Sequence, residues 1–264
     1  MPNATHRPRK RFGQHFLHDT GAIDRMLRAI APRDRDRIVE IGPGLGALTR
    51  PLLEAAGRLH VVELDRDLIP RLEQACAGIG TLELHQADAL DFDFRRLAQG
   101  KSSLRVVGNL PYNISTPLIF HLLEQAEWIR DMHFMLQKEV VARLAARPGG
   151  KDYGRLSVMV QYRCAVESLF EVGPEAFSPP PKVDSAVVRM LPYSSLPHPA
   201  CEPLLLEQVV QLSFAQRRKT LRNTLKPLLS AERIERAGID PGRRPETLSV
   251  AEFVALADAA HATE

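Results

Sequence analysis

Five short β-rich runs, at residues 37–41, 59–63, 82–86, 104–108 and 133–136, alternate with helix-length stretches at 45–56, 67–77, 94–99 and 117–125. No other feature constrains the fold so strongly. Strands separated by helices are joined by crossovers rather than hairpins, so they line up in parallel with helices on both faces of the sheet. A further helix is expected at 139–146, where Pro148-Gly149-Gly150 breaks the chain, and another at 156–163. Two more strand-like runs, 166–172 and 183–191, flank Pro179-Pro180-Pro181, which cannot pair as strand and forms a rigid loop.

Beyond Pro192 the pattern changes. Pro197 and Pro199 mark a linker, and the helical stretches 204–214, 218–229, 231–237 and 250–260 follow without a strand signal. The expected division is a basic arm at 1–18, an α/β domain at 19–193 and a smaller, all-helical domain at 194–264. Net charge is only +3, but the positive charge is unevenly placed. Residues 1–18 contain no acid and carry Arg7, Arg9, Lys10 and Arg11. Residues 213–229 also lack acid and carry Arg217, Arg218, Lys219, Arg222 and Lys226. There Leu221, Leu225 and Leu228 recur at helical spacing, which predicts one buried stripe beside a basic face. Local patches on a near-balanced chain point to a polyanion gripped at particular places. No apolar run approaches the ~20 residues that cross a bilayer. The odd count of three scattered cysteines fits a reducing compartment. Pro2 and Pro8 interrupt any amphipathic presequence helix, so a cytoplasmic protein is expected. No metal is expected.

After the first strand comes Gly42-Pro43-Gly44-Leu45-Gly46-Ala47, a glycine turn that lets backbone pass close to a ligand before a helix begins. By itself this is a weak signal, and it also fits the dinucleotide pattern G-x-G-x-x-A. Glu63 ends the second strand, where a carboxylate can accept from both hydroxyls of a ribose; this serves NAD and S-adenosylmethionine equally. Asp88 and Ala89 follow the third strand, and Asp88 can accept from an adenine amino group. The three strand ends together point to an adenosine-containing ligand.

Gly108-Asn109-Leu110-Pro111-Tyr112 decides between them. The amino nitrogen of adenine is a poor nucleophile because its lone pair is delocalised into the ring. Two acceptors bonded to its hydrogens pull it toward tetrahedral geometry, and the Asn109 side-chain oxygen and the Leu110 carbonyl can be that pair. Pro111 fixes the turn, and Tyr112 offers a stacking face. Positioning and electrostatics carry such a step without a strong base. A nicotinamide enzyme has no use for this segment. Phe177, ahead of the proline loop, is expected to stack on the opposite face of an extruded adenine; the alternative is a core residue anchoring the loop.

Asn109 to Tyr112 is similar to the Asn/Asp-Pro-Pro-Tyr motif of amino-group methyltransferases. Together with residues 9–17, 40–46, 63–65, 153–157, 177–185 and 214–221, in this order, the chain resembles the ribosomal RNA adenine dimethyltransferases over its whole length, most nearly the bacterial small-subunit members. The resemblance implies a seven-stranded, mostly parallel, Rossmann-like methyltransferase sheet with a helical C-terminal domain. It implies S-adenosylmethionine as cofactor, contacted by His15, Leu17, Gly42, Gly44, Glu63, Asp88, Ala89 and Asn109. It implies Asn109, Leu110, Tyr112 and Phe177 at the chemistry, and Arg9, Lys10, Arg11, Arg217, Arg218, Lys219 and Arg222 on RNA. His15 departs from the family's Asn, though a ring nitrogen can still hydrogen-bond; its alternative is a solvent-facing place on the arm. The implied reaction is dimethylation of two adjacent adenosines in the 3′-terminal hairpin loop of small-subunit rRNA, by a monomer acting on a pre-30S particle. The rivals are a large-subunit rRNA methyltransferase of the antibiotic-resistance type and a non-catalytic RNA-binding assembly factor.

Overall fold

A computed structural model describes residues 14–216 and 218–262. The chain forms two compact units, one reaching to Val141 and resuming at Glu167–Pro192, the other made of Ala142–Val166 and the chain from Tyr193 onward.

The first unit begins with a two-residue strand, β1 (Phe16–Leu17), and helix α1 (Thr20–Ile30). The Asp19 carboxylate caps α1 by accepting from Ala22 N at 2.7 Å. Ala22, Met26 and Ile30 recur every fourth residue, so one face of α1 is buried. The alternation read from the sequence follows: β2 (Arg37–Ile41), α2 (Thr49–Ala56), β3 (Arg58–Glu63), α3 (Ile69–Cys76), β4 (Thr81–Gln86), β5 (Leu104–Asn109), α4 (Ser115–Glu124), β6 (Ile129–Gln137) and α5 (Lys138–Leu144). Four features depart from expectation. Helix α2 starts at Thr49 rather than 45, because Gly44 and Gly46 adopt positive φ values that no helix contains. The helix expected at 94–99 is a single 3₁₀ turn, Phe94–Leu97. Strand β6 is longer than predicted, paired on one side to β5 and on the other to β9 (Ser185–Pro192). The fourth, Phe177, lies in the two-residue strand β8 (Phe177–Ser178), which pairs antiparallel with β1.

With β7 (Cys164–Val172), seven strands form one sheet in the order β4-β3-β2-β5-β6-β9-β7. Strands β2 to β6 run parallel, and β9 runs antiparallel to β6. Chain order reverses between β2 and β5. A crevice at the carboxyl ends of the strands flanking such a switch point is where open α/β sheets bind ligands.

The second unit contains α6 (Arg155–Gln161), α7 (Pro203–Phe214), α8 (Leu221–Thr224), α9 (Ala231–Arg236) and α10 (Val250–His261) around an apolar core that includes Tyr153, Val158, Leu206, Leu225 and Phe253. Ser249 and Glu252 form a reciprocal capping box at the start of α10. Two expectations are corrected here. Residues 142–166, assigned by sequence to the α/β domain, pack with the helical unit, supplying Tyr153, Val158 and Tyr162 to its core. The helix predicted over 218–229 is only four residues long. Pro227 has no N–H to continue the ladder, and the chain closes instead by the turn Leu228 N to Leu225 O. The leucine stripe survives: Leu221 and Leu225 are fully buried and Leu228 partly so, with Arg218, Lys219, Arg222 and Lys226 exposed.

Candidate active site

A cavity of about 300 Å³ opens at the switch point, walled by the carboxyl ends of β2, β3, β4 and β5. Two glycines make the approach possible. A Cβ on Gly108 would lie 2.5 Å from the Ile41 carbonyl, so only glycine lets β5 run this close to β2. A Cβ on Gly44 would lie 2.9 Å from the Phe16 ring, which covers the glycine turn.

Every residue expected at the cofactor lines this cavity. Gly42 and Gly44 come from the turn after β2, Glu63 from the end of β3, Asp88 and Ala89 from beyond β4, and Asn109 from the end of β5. His15 and Leu17 come from the segment around β1. Asp88 Oδ1 accepts from Leu90 N at 2.9 Å, and Glu63 Oε1 accepts from Asp65 N at 2.7 Å. Burial raises the Glu63 carboxyl above its ordinary range, and the Asp65 amide offsets this only in part.

The sequence reading assigned no role to Glu40, yet it stands on the cavity wall at the end of β2, only 2% exposed. Its Oε2 has no hydrogen-bond partner among the described residues. Burial pushes its carboxyl up to about 8; Thr49 lowers it somewhat and the neighbouring Glu63 raises it further. The signal for it was present: an ionisable residue between the apolar Val39 and Ile41, two positions before the glycine turn.

Asn109 is oriented by the chain's amino-terminal segment. Its Nδ2 donates to the main-chain oxygen of His15 at 3.0 Å, which leaves the side-chain oxygen as the remaining acceptor. Leu110 and Tyr112 line the same cavity. Tyr112 Oη lies 2.6 Å from Ser185 Oγ, and burial raises the phenol's pKa, so the ring is neutral at physiological pH. The His15 ring stacks on Tyr112, with centroids 5.7 Å apart and planes at 26°. His15 Nδ1 is 2.7 Å from the Pro179 carbonyl, so the half-buried His15 is tied to the proline loop.

One expected site residue is not in the cavity. Phe177 is 2% exposed and packs in the hydrophobic core with Leu17 and Val187. It pairs with Leu17 in the β1–β8 ribbon, a placement that matches the core alternative left open by the sequence. Of the residues expected on RNA, Arg218, Lys219 and Arg222 are exposed in the helical unit, while Arg9, Lys10, Arg11 and Arg217 lie outside the described residues.

The family model for ribosomal RNA adenine dimethylase matches residues 5–261. The chain belongs to that family. Its relatives in the dimethylase family include proteins named Ribosomal RNA small subunit methyltransferase A. The one from Pseudomonas fluorescens is 66% identical over 96% of this chain and 94% of its own length. The one from Nitrosococcus oceani is 61% identical over 97% of both chains. Among solved structures, a dimethyladenosine transferase from Plasmodium falciparum superposes with a TM-score of 0.80 at 26% identity, covering 92% of this chain and 96% of its own. The 23S rRNA methyltransferase ErmE gives 0.73, also at 26% identity, covering 94% of this chain and 100% of its own. The seven-stranded sheet is thus a Rossmann-like methyltransferase fold. No helix is long and apolar enough to cross a membrane, and no group of three His, Cys, Asp or Glu residues is placed to hold a metal, among the described residues.

Proposed function

We propose that this dimethylase-family chain transfers methyl groups from S-adenosylmethionine to N6 of adenosine in small-subunit rRNA. The orientation of Asn109 carries this reading: with its Nδ2 given to His15 O, its side-chain oxygen is left to accept from an amine at the cavity, beside the Leu110 carbonyl. The cavity's polar groups suit the cofactor. Glu63, Asp88 and the Asn109 oxygen can accept, matching ribose hydroxyls and amines.

When bound, S-adenosylmethionine supplies an electrophilic methyl group on a sulfonium. Glu63 takes the ribose hydroxyls and Asp88 the adenine amine, while Gly42 and Gly44 let the backbone approach. Asn109 and Leu110 draw on the two hydrogens of the target amine, localising its lone pair toward the methyl group. Each transfer forms a nitrogen–methyl bond as the sulfur–methyl bond breaks, with S-adenosylhomocysteine as the leaving group and the displaced amine proton passing to solvent. A single N–H is left after the first transfer, and either acceptor can hold it for the second. The end product is N6,N6-dimethyladenosine.

The substrate is taken as two adjacent adenosines in the 3′-terminal hairpin loop, on a pre-30S particle in the cytoplasm, with the enzyme acting as a monomer. Small-subunit specificity is favoured over the large-subunit alternative by identities of 61–66% to relatives named for the small subunit, against 26% for ErmE. Arg218, Lys219 and Arg222 in the helical unit are assigned to phosphates, with Arg9, Lys10, Arg11 and Arg217 as further contacts. A methylation time course on unmethylated small-subunit particles, analysed as nucleosides, tests the reading. Dimethyladenosine passing through the monomethyl form is the expected result. Methylation confined to large-subunit rRNA, or halting at monomethyladenosine under excess cofactor, overturns it.

A further inference from the structure

Two side chains hold Tyr112 in place. Ser185 is the first residue of β9, fully buried and paired in register with Gln137 at the end of β6. The sheet therefore fixes its position, and its hydroxyl meets the Tyr112 hydroxyl at 2.6 Å. This bond ties the loop after β5 to a strand two places away in the sheet. The second hold is on the ring face. His15 stacks on Tyr112, and three contacts fix His15 in turn. Its Nδ1 faces the Pro179 carbonyl at 2.7 Å; a carbonyl only accepts, so Nδ1 carries the proton. Its main-chain oxygen takes the Asn109 amide, and its neighbours Phe16 and Leu17 pair with Ser178 and Phe177.

A tyrosine ring held at its hydroxyl and packed on one face has a defined plane and a single free face. We infer that Ser185 and His15 are positioning residues for the target base: Ser185 sets where the Tyr112 ring lies, and His15 closes one face so that adenine stacks on the other. The inference rests on the reading of Tyr112 as the stacking platform. Misplacement of a reacting group by about an ångström can lower a rate by as much as ~10²-fold.

The bond can be read from both ends. Ser185→Ala, Tyr112→Phe and the double variant are compared with the wild type in single-turnover methyl transfer to unmethylated small-subunit particles at saturating S-adenosylmethionine. Cofactor affinity is measured separately by calorimetry. Each single variant is expected to slow transfer roughly tenfold, in line with loss of one hydrogen bond, with cofactor affinity unchanged. The double variant should be no slower than the slower single, because both remove the same bond. His15→Asn, which keeps a donor but loses the ring, should be slower than His15→Phe, which keeps the ring. Wild-type transfer by Ser185→Ala, or losses that multiply in the double variant, overturn the role of Ser185. Should Ser185→Ala fail to fold, Tyr112→Phe decides alone, and a wild-type rate there overturns it. Equal rates for the two His15 variants remove His15. A wild-type enzyme that transfers nothing to the particles refutes the proposed function itself, a result distinct from any of these.

Discussion

The two ends of one sheet treat buried charge in opposite ways. At the amino-terminal ends of β5 and β6, Arg105 is 4% exposed and is paired with two carboxylates. Its Nη1 donates to Asp36 at 2.6 Å and its Nε to Asp131 at 3.0 Å. Its Nη2 donates to the Ile30 carbonyl at the carboxyl end of α1, where the helix dipole favours a cation. Burial alone would raise the Asp131 carboxyl, but the His133 ring and Arg105 pull it below its ordinary value. At the carboxyl ends of β2 and β3 the reverse holds. Glu40 and Glu63 are about as deeply buried, repel one another, and have raised pKa values. Glu40 Oε2 has no hydrogen-bond partner among the described residues. An unsatisfied buried polar group costs about 1–3 kcal/mol. The matched end therefore stabilises the fold, whereas the unmatched end holds acceptors ready for a ligand.

The sharpest way to break this contrast is to remove Arg105. Arg105→Leu leaves the buried Asp131 and the half-buried Asp36 with only the half-exposed Arg130 as cation, and removing one partner of a buried pair costs about 3–5 kcal/mol. Chemical denaturation should show a loss of that size, while cofactor affinity of the folded fraction stays at the wild-type value. Asn109→Ala is the converse. Asn109 is half-buried at the sheet's other end, so stability should change little. Methyl transfer at saturating cofactor should fall by about 10²–10³-fold, as it does when one preorganised polar contact to the reacting centre is lost. A turnover near wild type would remove Asn109 from the chemistry.

Glu40→Gln tests the unmatched end through pH. The folded-state pKa of about 8 lies above the ordinary 4.5, so between these values the folded chain binds a proton that the unfolded chain does not. The stability linked to this group is fully present below pH 4.5 and is lost as pH rises toward 8. In the Gln variant that loss disappears. Its stability relative to wild type should rise from pH 5 to pH 8 by an amount on the order of a few kcal/mol, read from urea midpoints across the range. Parallel pH curves for the two proteins would mean that Glu40 ionises normally.

Much of this was legible in the sequence because it depends on local pattern. Apolar runs separated by helices placed β2 to β5 within about two residues, and the motifs at strand ends placed Gly42, Glu63, Asp88 and Asn109 on one cavity. What was not legible depends on which way a side chain faces once distant segments meet. Phe177 satisfies a core site and a stacking site equally well by composition; in the fold it pairs with Leu17 and packs in the core. The β1–β8 ribbon is two residues long, too short for any periodic signal. Residues 142–166 belong to the helical unit through Tyr153, Val158 and Tyr162, whereas the visible punctuation lay at Pro192. The tyrosine–serine bond joins positions separated by 73 residues, with nothing at either position to announce the other.

A smaller effect is expected for Glu63→Ala. Removing the acceptor for two ribose hydroxyls should weaken S-adenosylmethionine binding by about 1.5–3 kcal/mol, or roughly ten- to a hundredfold, in calorimetry. Unchanged affinity would take Glu63 out of the adenosine site.

Arg130 gives the smallest effect and the finest test of why the matched end is stable. It belongs to the same network as Arg105, 3.4 Å from Asp36 and 3.6 Å from Asp131, and so touches the same two carboxylates. Its side chain, however, is 50% exposed, against 5% for Arg105. If the number of ion pairs governed stability, the two arginines would matter alike. In high dielectric the attraction is weak, and ordering a long side chain offsets much of it, so exposed pairs contribute about 0–1 kcal/mol. Asp36 and Asp131 also keep Arg105 when Arg130 is gone, so neither carboxylate is stranded. Arg130→Ala should therefore lower stability by less than about 1 kcal/mol, and added salt should shrink even that difference because the pair is open to solvent. A loss approaching that of Arg105→Leu would mean that the network acts as one cooperative unit and that burial of Arg105 is not what sets its weight.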